Sequence, residues 1–258
     1  IANQNLYVSA NTDLTGANAV NSTFAINNSW IDCNGINNLE IGVLMVVAGN
    51  RDFKVTSSGS VTVSGQGVFL SNDQTARALY LNLSGTGTMT INGQIHDTFH
   101  SGGITTPTTD SAGNPTTSVL RVGTGKLNIN SDNSSTFLGD FRIHNGGLAR
   151  IGNSGALGAA GTGSGTDIDS GGTLDLNGQT LAENFYGLDG SGVGGIGALI
   201  NSDTGTPAAI TSDISNDGSF TVGGDGDITL TRVNSGGTQT VTKIGNGTLI
   251  LAGTEHNN

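Results

Sequence analysis

Short runs in which apolar and polar residues alternate recur along most of the chain, each opened or closed by Gly or Asn. The clearest are residues 59–65 (GSVTVSG), 87–93 (GTMTING), 125–130 (GKLNIN) and 147–152 (GLARIG). Residues 172–178 (GTLDLNG), 197–201 (GALIN), 218–223 (GSFTVG) and 247–253 (GTLILAG) continue the series. Alternation with period two places Val, Leu and Ile on one face of a strand and Thr, Asn or Asp on the other. Helical spacing, with apolar residues at i, i+3, i+4 and i+7, forms no long stretch, and Gly interrupts almost every window of ten.

The opening glycines stand at 59, 87, 125, 147, 172, 197, 218 and 247, so successive intervals are 28, 38, 22, 25, 25, 21 and 29 residues. A recurrence of about 20–30 residues with several short strands per period indicates a solenoid, whose units bury their apolar face only by stacking. A β-sandwich would carry hairpin turns every 8–12 residues or so and more core aromatics. The expected fold is therefore all-β, a parallel β-helix of about ten coils for a repeat of about 25 residues. The 38-residue interval holds an insertion at 96–118 that contains Pro107 and Pro115 and reads as a loop leaving the coils. Residues 1–50, with Trp30, Cys33 and the apolar run 41–48, read as an N-terminal cap or contact segment before a β-helix over 51–258.

Composition narrows the function classes. Gly accounts for 43 of 258 residues and charged residues for 11%. Lys+Arg 9 against Asp+Glu 20 leaves a net charge of −11, too few cations for the basic stripe of a nucleic-acid binder. Leu, Ile, Val and Phe number 63, above the roughly one-fifth below which a chain stays disordered. Gly has no three-residue period, which excludes collagen. The longest apolar run is far short of the roughly 20 residues that span a bilayer, so no membrane span is expected. Cys33 is alone and forms no intrachain disulfide. No signal-peptide pattern precedes Ile1, and the sequence reads as a mature form or a fragment.

Within this frame the repeats resemble the autotransporter-associated β-strand repeat of bacterial passenger domains. Gly125-Lys126-Leu127-Asn128-Ile129 matches its opening strand, and Asn133, Thr136, Phe137 and Gly139 its turn. Phe141-Arg142-Ile143 and Gly146-Gly147-Leu148 match the two strands that follow. Residues 155–158 with 171–178, and again 243–253, continue the pattern. The likeness is close over 119–258, loose over 50–93, and missing from 1–50 and the insertion. It implies an exported, cell-surface, right-handed parallel β-helix. The repeat of that family is architectural, so the resemblance carries over no catalytic residue, and no membrane barrel follows here.

Three segments carry residues of possible chemical interest. His96 and His100 stand four apart, a metal-ligand spacing on a helix, but Gly102-Gly103 follows and the Glu of a zinc-protease helix is missing. Gly223-Gly224-Asp225-Gly226-Asp227-Ile228 is similar to a Ca²⁺-binding nonapeptide, yet it is not tandem and reads as a turn feeding the next strand. Asp167 and Asp169 would lie about 7 Å apart on one strand face, a spacing that suits acid/base chemistry or a cation; carboxylates on a solvated face are the plainer reading. No cofactor or metal site is expected, and no catalysis.

The function expected from the sequence is that of a non-catalytic structural or adhesive solenoid, extracellular or on a bacterial cell surface. Its contact candidates are Trp30, His96, His100, Pro107 and Pro115, with a surface or polysaccharide as ligand. Two alternatives stand beside it. Open solenoid ends with unpaired backbone groups would let the chain form a homopolymer, filament or surface layer. A polysaccharide-acting enzyme on the same fold is the third reading.

Overall fold

The structure, a computed structural model, describes residues 60–253 with breaks at 65–66, 72–77, 84–86, 102–103, 108–118, 161–164, 217 and 236–237. Before residue 60 it describes the backbone of six strands between Gln4 and Lys54.

Parallel strands stack in line to form a β-solenoid. The first stack runs through Gln4–Val8, Ile36–Ile41, Ser60–Val63, Thr88–Ile91 and the second half of Val119–Ile129. It continues through Gly147–Ile151, Thr173–Asp175, Leu199–Asn201, Phe220–Gly224 and Val241–Lys243. Another stack joins Trp30–Asp32, Arg51–Lys54, Ala78–Asn82, the first half of Val119–Ile129, Asp140–Ile143 and Thr166–Ile168. Phe185–Leu188, Ala208–Asn216, Ile228–Ser235 and Leu249–Leu251 complete it.

A third side lies between these two along the chain. In the early coils it is a sheet of Thr23–Ile26, Leu44–Val47, Val68–Ser71 and Ile95–Ser101. Part of the segment expected as a loop is thus paired: Ile95–Ser101 stacks on Val68–Ser71, and Ile104–Pro107 folds back antiparallel onto it. In the next two coils turns replace the strands. Asn133 N–H donates to the Gly155 carbonyl and Ala159 N–H to that of Phe137, so one turn stacks on the next.

About six turns make up the regular body from Val119 to Leu251, so the count differs from the even series of about ten coils expected along the whole chain. The expectation assumed one even repeat, whereas the earlier strands extend the same ladders through longer and less uniform connections.

The bore is built by the alternation seen in the sequence. Ser60–Val63, Thr88–Ile91 and Asp140–Ile143 bury every second residue. Register then aligns the inward residues into a column of Val61, Met89, Leu127, Ala149, Leu174, Leu199 and Val222, all buried. A second column runs Leu79, Leu120, Phe141, Thr166 and Phe185. Each fully buried Leu or Ile contributes about 1.5–3 kcal/mol, gained only because the next coil covers it. The corner leading into the first stack is turned by Gly125, Gly146 and Gly171, all at φ between +80° and +87°. Their amides and carbonyls pair along the axis, Gly125 to Gly146 and Gly146 to Gly171. That conformation puts L side chains too close to the backbone, which explains the recurring Gly at this point of the repeat.

Candidate functional site

The outer face of Asp140–Ile143 and Thr166–Ile168 carries a cluster of charged side chains. Alternation sends Phe141, Ile143 and Ile168 into the bore and leaves Asp140, Arg142 and Asp167 on the outer phase. Arg142 and Asp167 are register partners on adjacent strands. Asp169 follows the strand end, and with Asp167 it lines a groove of about 390 Å³ that also holds Asn145, Ser170, Gly187 and Asp189. The carboxylate pair read from the sequence is therefore brought to one groove.

The partners of these groups define what the groove can do. Asp169 Oδ2 meets His144 Nδ1 at 2.5 Å, tying one coil to the next. The His144 ring stacks on Tyr80, centroids 5.6 Å apart, while its Nε2 is buried and has no partner. A general base needs an accessible nitrogen facing substrate; here one nitrogen is engaged and the other turned into the protein. Arg142 Nη2 pairs with Asp140 at 3.3 Å. Burial, then the neighbouring Asp169, push the Asp167 carboxyl above its ordinary range, with Arg142 and His144 opposing. The arrangement joins two coils through His144 and Asp169, while Arg142 and Asp140 pair within one strand.

A second groove, of about 220 Å³, lies against the stacked turns and is lined by Asp132, Ser134, Ser154, Thr180 and Glu183, among others. Asp132 accepts the N–H and Oγ–H of Ser134, and these bonds hold its carboxyl below the usual range. Glu183 is only 4% exposed. Burial, and next the charge of Asp140, push it up to about 8. Sequence reading missed Glu183, although Leu181, Glu183 and Phe185 share one phase of the alternation and that phase faces inward. The same signal marks Asn133, which follows Leu127, Ile129 and Ser131 on the inward phase, and Asn201, which follows Leu199.

The other sequence candidates separate. His96 lies on the strand Ile95–Ser101 with its ring stacked on Phe69, centroids 4.1 Å apart. His100 is on the same strand, and four extended residues span about 13 Å, so the helical ligand pair does not form. Trp30 pairs in register with Asp52, and Pro107 ends the antiparallel strand; their side chains, like that of His100, lie outside the described residues, as does Pro115 altogether. The Ca²⁺-like segment forms a turn into Ile228–Ser235. Asp225 there accepts the Asn246 side-chain amide at 2.9 Å and Asp227 accepts Thr248 N–H at 2.7 Å, so both bind the following coil. Among the described residues no three or more His, Cys, Asp or Glu are grouped to hold a metal ion, and no helix is long and apolar enough to cross a membrane. Compared with protein-family models, curated proteins and solved structures, the chain matches none.

Proposed function

We propose that the chain is a non-catalytic, extracellular structural or adhesive rod of a bacterial cell surface, related in kind to the passenger repeats its sequence resembles. The observation that carries this reading is the division of labour across the coil. Inward positions form continuous apolar columns, and many outward polar groups are spent on joining one coil to the next, as Asp169 is to His144 and Asp227 to Thr248. Such a body is stiff without disulfides, because each coil is held by its neighbours. The part of the inserted segment that follows the paired strand Ile95–Ser101, residues 102–117, interrupts the repeat in sequence and would make the contacts.

The test is retention of bead-coupled protein on panels of cell-surface polysaccharides and matrix proteins, alongside an assay for polysaccharide cleavage. One ligand class should be retained, and retention should vanish when 102–117 is replaced by a Gly/Ser linker that leaves Ile95–Ser101 in place. Retention by nothing, or turnover of a polysaccharide, would overturn the reading.

A further inference from the structure

Glu183 stands where the stacked turns meet the stack that contains Asp140–Ile143. It faces inward between Leu181 and Phe185, both fully buried, and its carbonyl accepts the Ser212 hydroxyl of the next coil. The residue lines the 220 Å³ groove with Asp132, Ser134 and Thr180. The charged groups on the surrounding elements are Asp132, Asp140, Arg142, Asp167, and Asp213 with Arg232. Arg142 is committed to Asp140 and Arg232 to Asp213, and among the described residues no cation pairs with Glu183.

Asp175 is the instructive contrast. It is buried to the same degree, but its oxygens accept Ser202 N–H at 3.0 Å, Ser202 Oγ–H at 2.6 Å and Asn177 N–H at 3.0 Å, and Arg150 lies 3.5 Å away. Those donors offset what burial takes away from the Asp175 oxygens. Glu183 has no such set, and a lone charge buried there carries a large desolvation penalty.

We propose that Glu183 is a proton-dependent latch between consecutive coils: as a neutral carboxyl it seats 180–188 against Thr166–Ile168, the strand on which Phe185–Leu188 stacks, and on ionisation it leaves its site and that junction opens. The folded state holds the proton more tightly than the unfolded chain does, with the carboxyl at about 8 against an ordinary 4.5. Its stabilisation is therefore full below pH 4.5 and is lost as pH rises through about 8.

The experiment follows denaturation midpoint and limited proteolysis within 180–188 from pH 6 to pH 9.5, in the native chain and in Glu183→Gln. The native chain should lose midpoint and gain cleavage at 180–188 across this range, and Glu183→Gln should do neither. Equal pH dependence in the two proteins would overturn the proposal. Should the variant fail to fold, carboxyl ¹³C NMR of the native chain decides: titration of Glu183 near 8 supports the latch, and titration near the ordinary glutamate value overturns it.

Discussion

The side-chain oxygen of Asn133 accepts the backbone N–H of Ile95 at 2.8 Å, at the level where the third side of the coil changes from strand to turn. The same carboxamide donates to the Ala156 carbonyl of the following turn at 2.6 Å and accepts the Ser131 hydroxyl at 3.1 Å. One fully buried side chain thus links three successive coils. A strand presents its amides and carbonyls to its neighbour at even intervals, whereas a turn does not; Asn133 supplies the donor and acceptor that the turn lacks.

Replacing Asn133 with Ala should therefore strand the Ile95 N–H and the Ala156 carbonyl, each at about 1–3 kcal/mol. Chemical denaturation would show a clear loss of midpoint for Asn133→Ala. Asn130→Ala, which removes the exposed bond to Asn92 at 2.8 Å, should lie within about 1 kcal/mol of the native chain. Equal effects of the two substitutions would remove Asn133 from its linking role.

Gly125 and Gly195 share φ = +80° but not their surroundings. A Cβ on Gly125 would sit 1.7 Å from the Leu83 carbonyl oxygen, while one on Gly195 meets nothing within 4 Å. Gly195→Ala should cost only the left-handed backbone, about 1–2 kcal/mol. Gly125→Ala adds a backbone clash and should cost considerably more, read as the gap between the two denaturation midpoints.

Thr166 lies between Phe141 and Phe185 in the bore, and its hydroxyl is buried without a partner. Valine has nearly the same shape and no group to desolvate. Thr166→Val should raise stability by about 1 kcal/mol, since an unsatisfied buried hydroxyl carries a penalty of that order. A lowered melting temperature would mean that the hydroxyl is hydrogen-bonded in solution.

Asp167 bears on the pH dependence of stability. Its carboxyl is raised above 3.8 by burial and by Asp169, so its ionisation works against the fold. That contribution is most favourable below the unfolded value of 3.8 and is lost as pH rises through the raised folded value. Asp167→Asn should leave stability at pH 7 unchanged or slightly higher, in thermal melts run at pH 3, 5 and 7. A marked loss at pH 7 would show that the Arg142 contact outweighs desolvation.

Much of this architecture is legible in the residues themselves. The runs at 59–65, 87–93 and 125–130 announce strands, and their glycine spacing announces stacking, because a period-two strand with one apolar face needs a cover every coil. The paired groove residues Asp167 and Asp169 follow from the same alternation. Glu183, Asn133 and Asn201 were harder to find because each is a polar residue on an inward phase, where alternation alone predicts an apolar one. What makes Asn201 tolerable is visible only in three dimensions: its amide donates to the Thr206 and Asp227 carbonyls and its oxygen accepts Gly178 and Asp203 N–H. The number of regular turns also escaped the sequence, since loop lengths between rungs vary without disturbing the rungs.

Negative-stain electron microscopy of the purified chain over a concentration series tests the proposed role most directly. The ladder from Gln4–Val8 to Val241–Lys243, at about 4.8 Å per rung, gives a body about 45 Å long. Single short rods of that length at every concentration are the expected result for a display or adhesive module. Regular filaments that lengthen with concentration would contradict it.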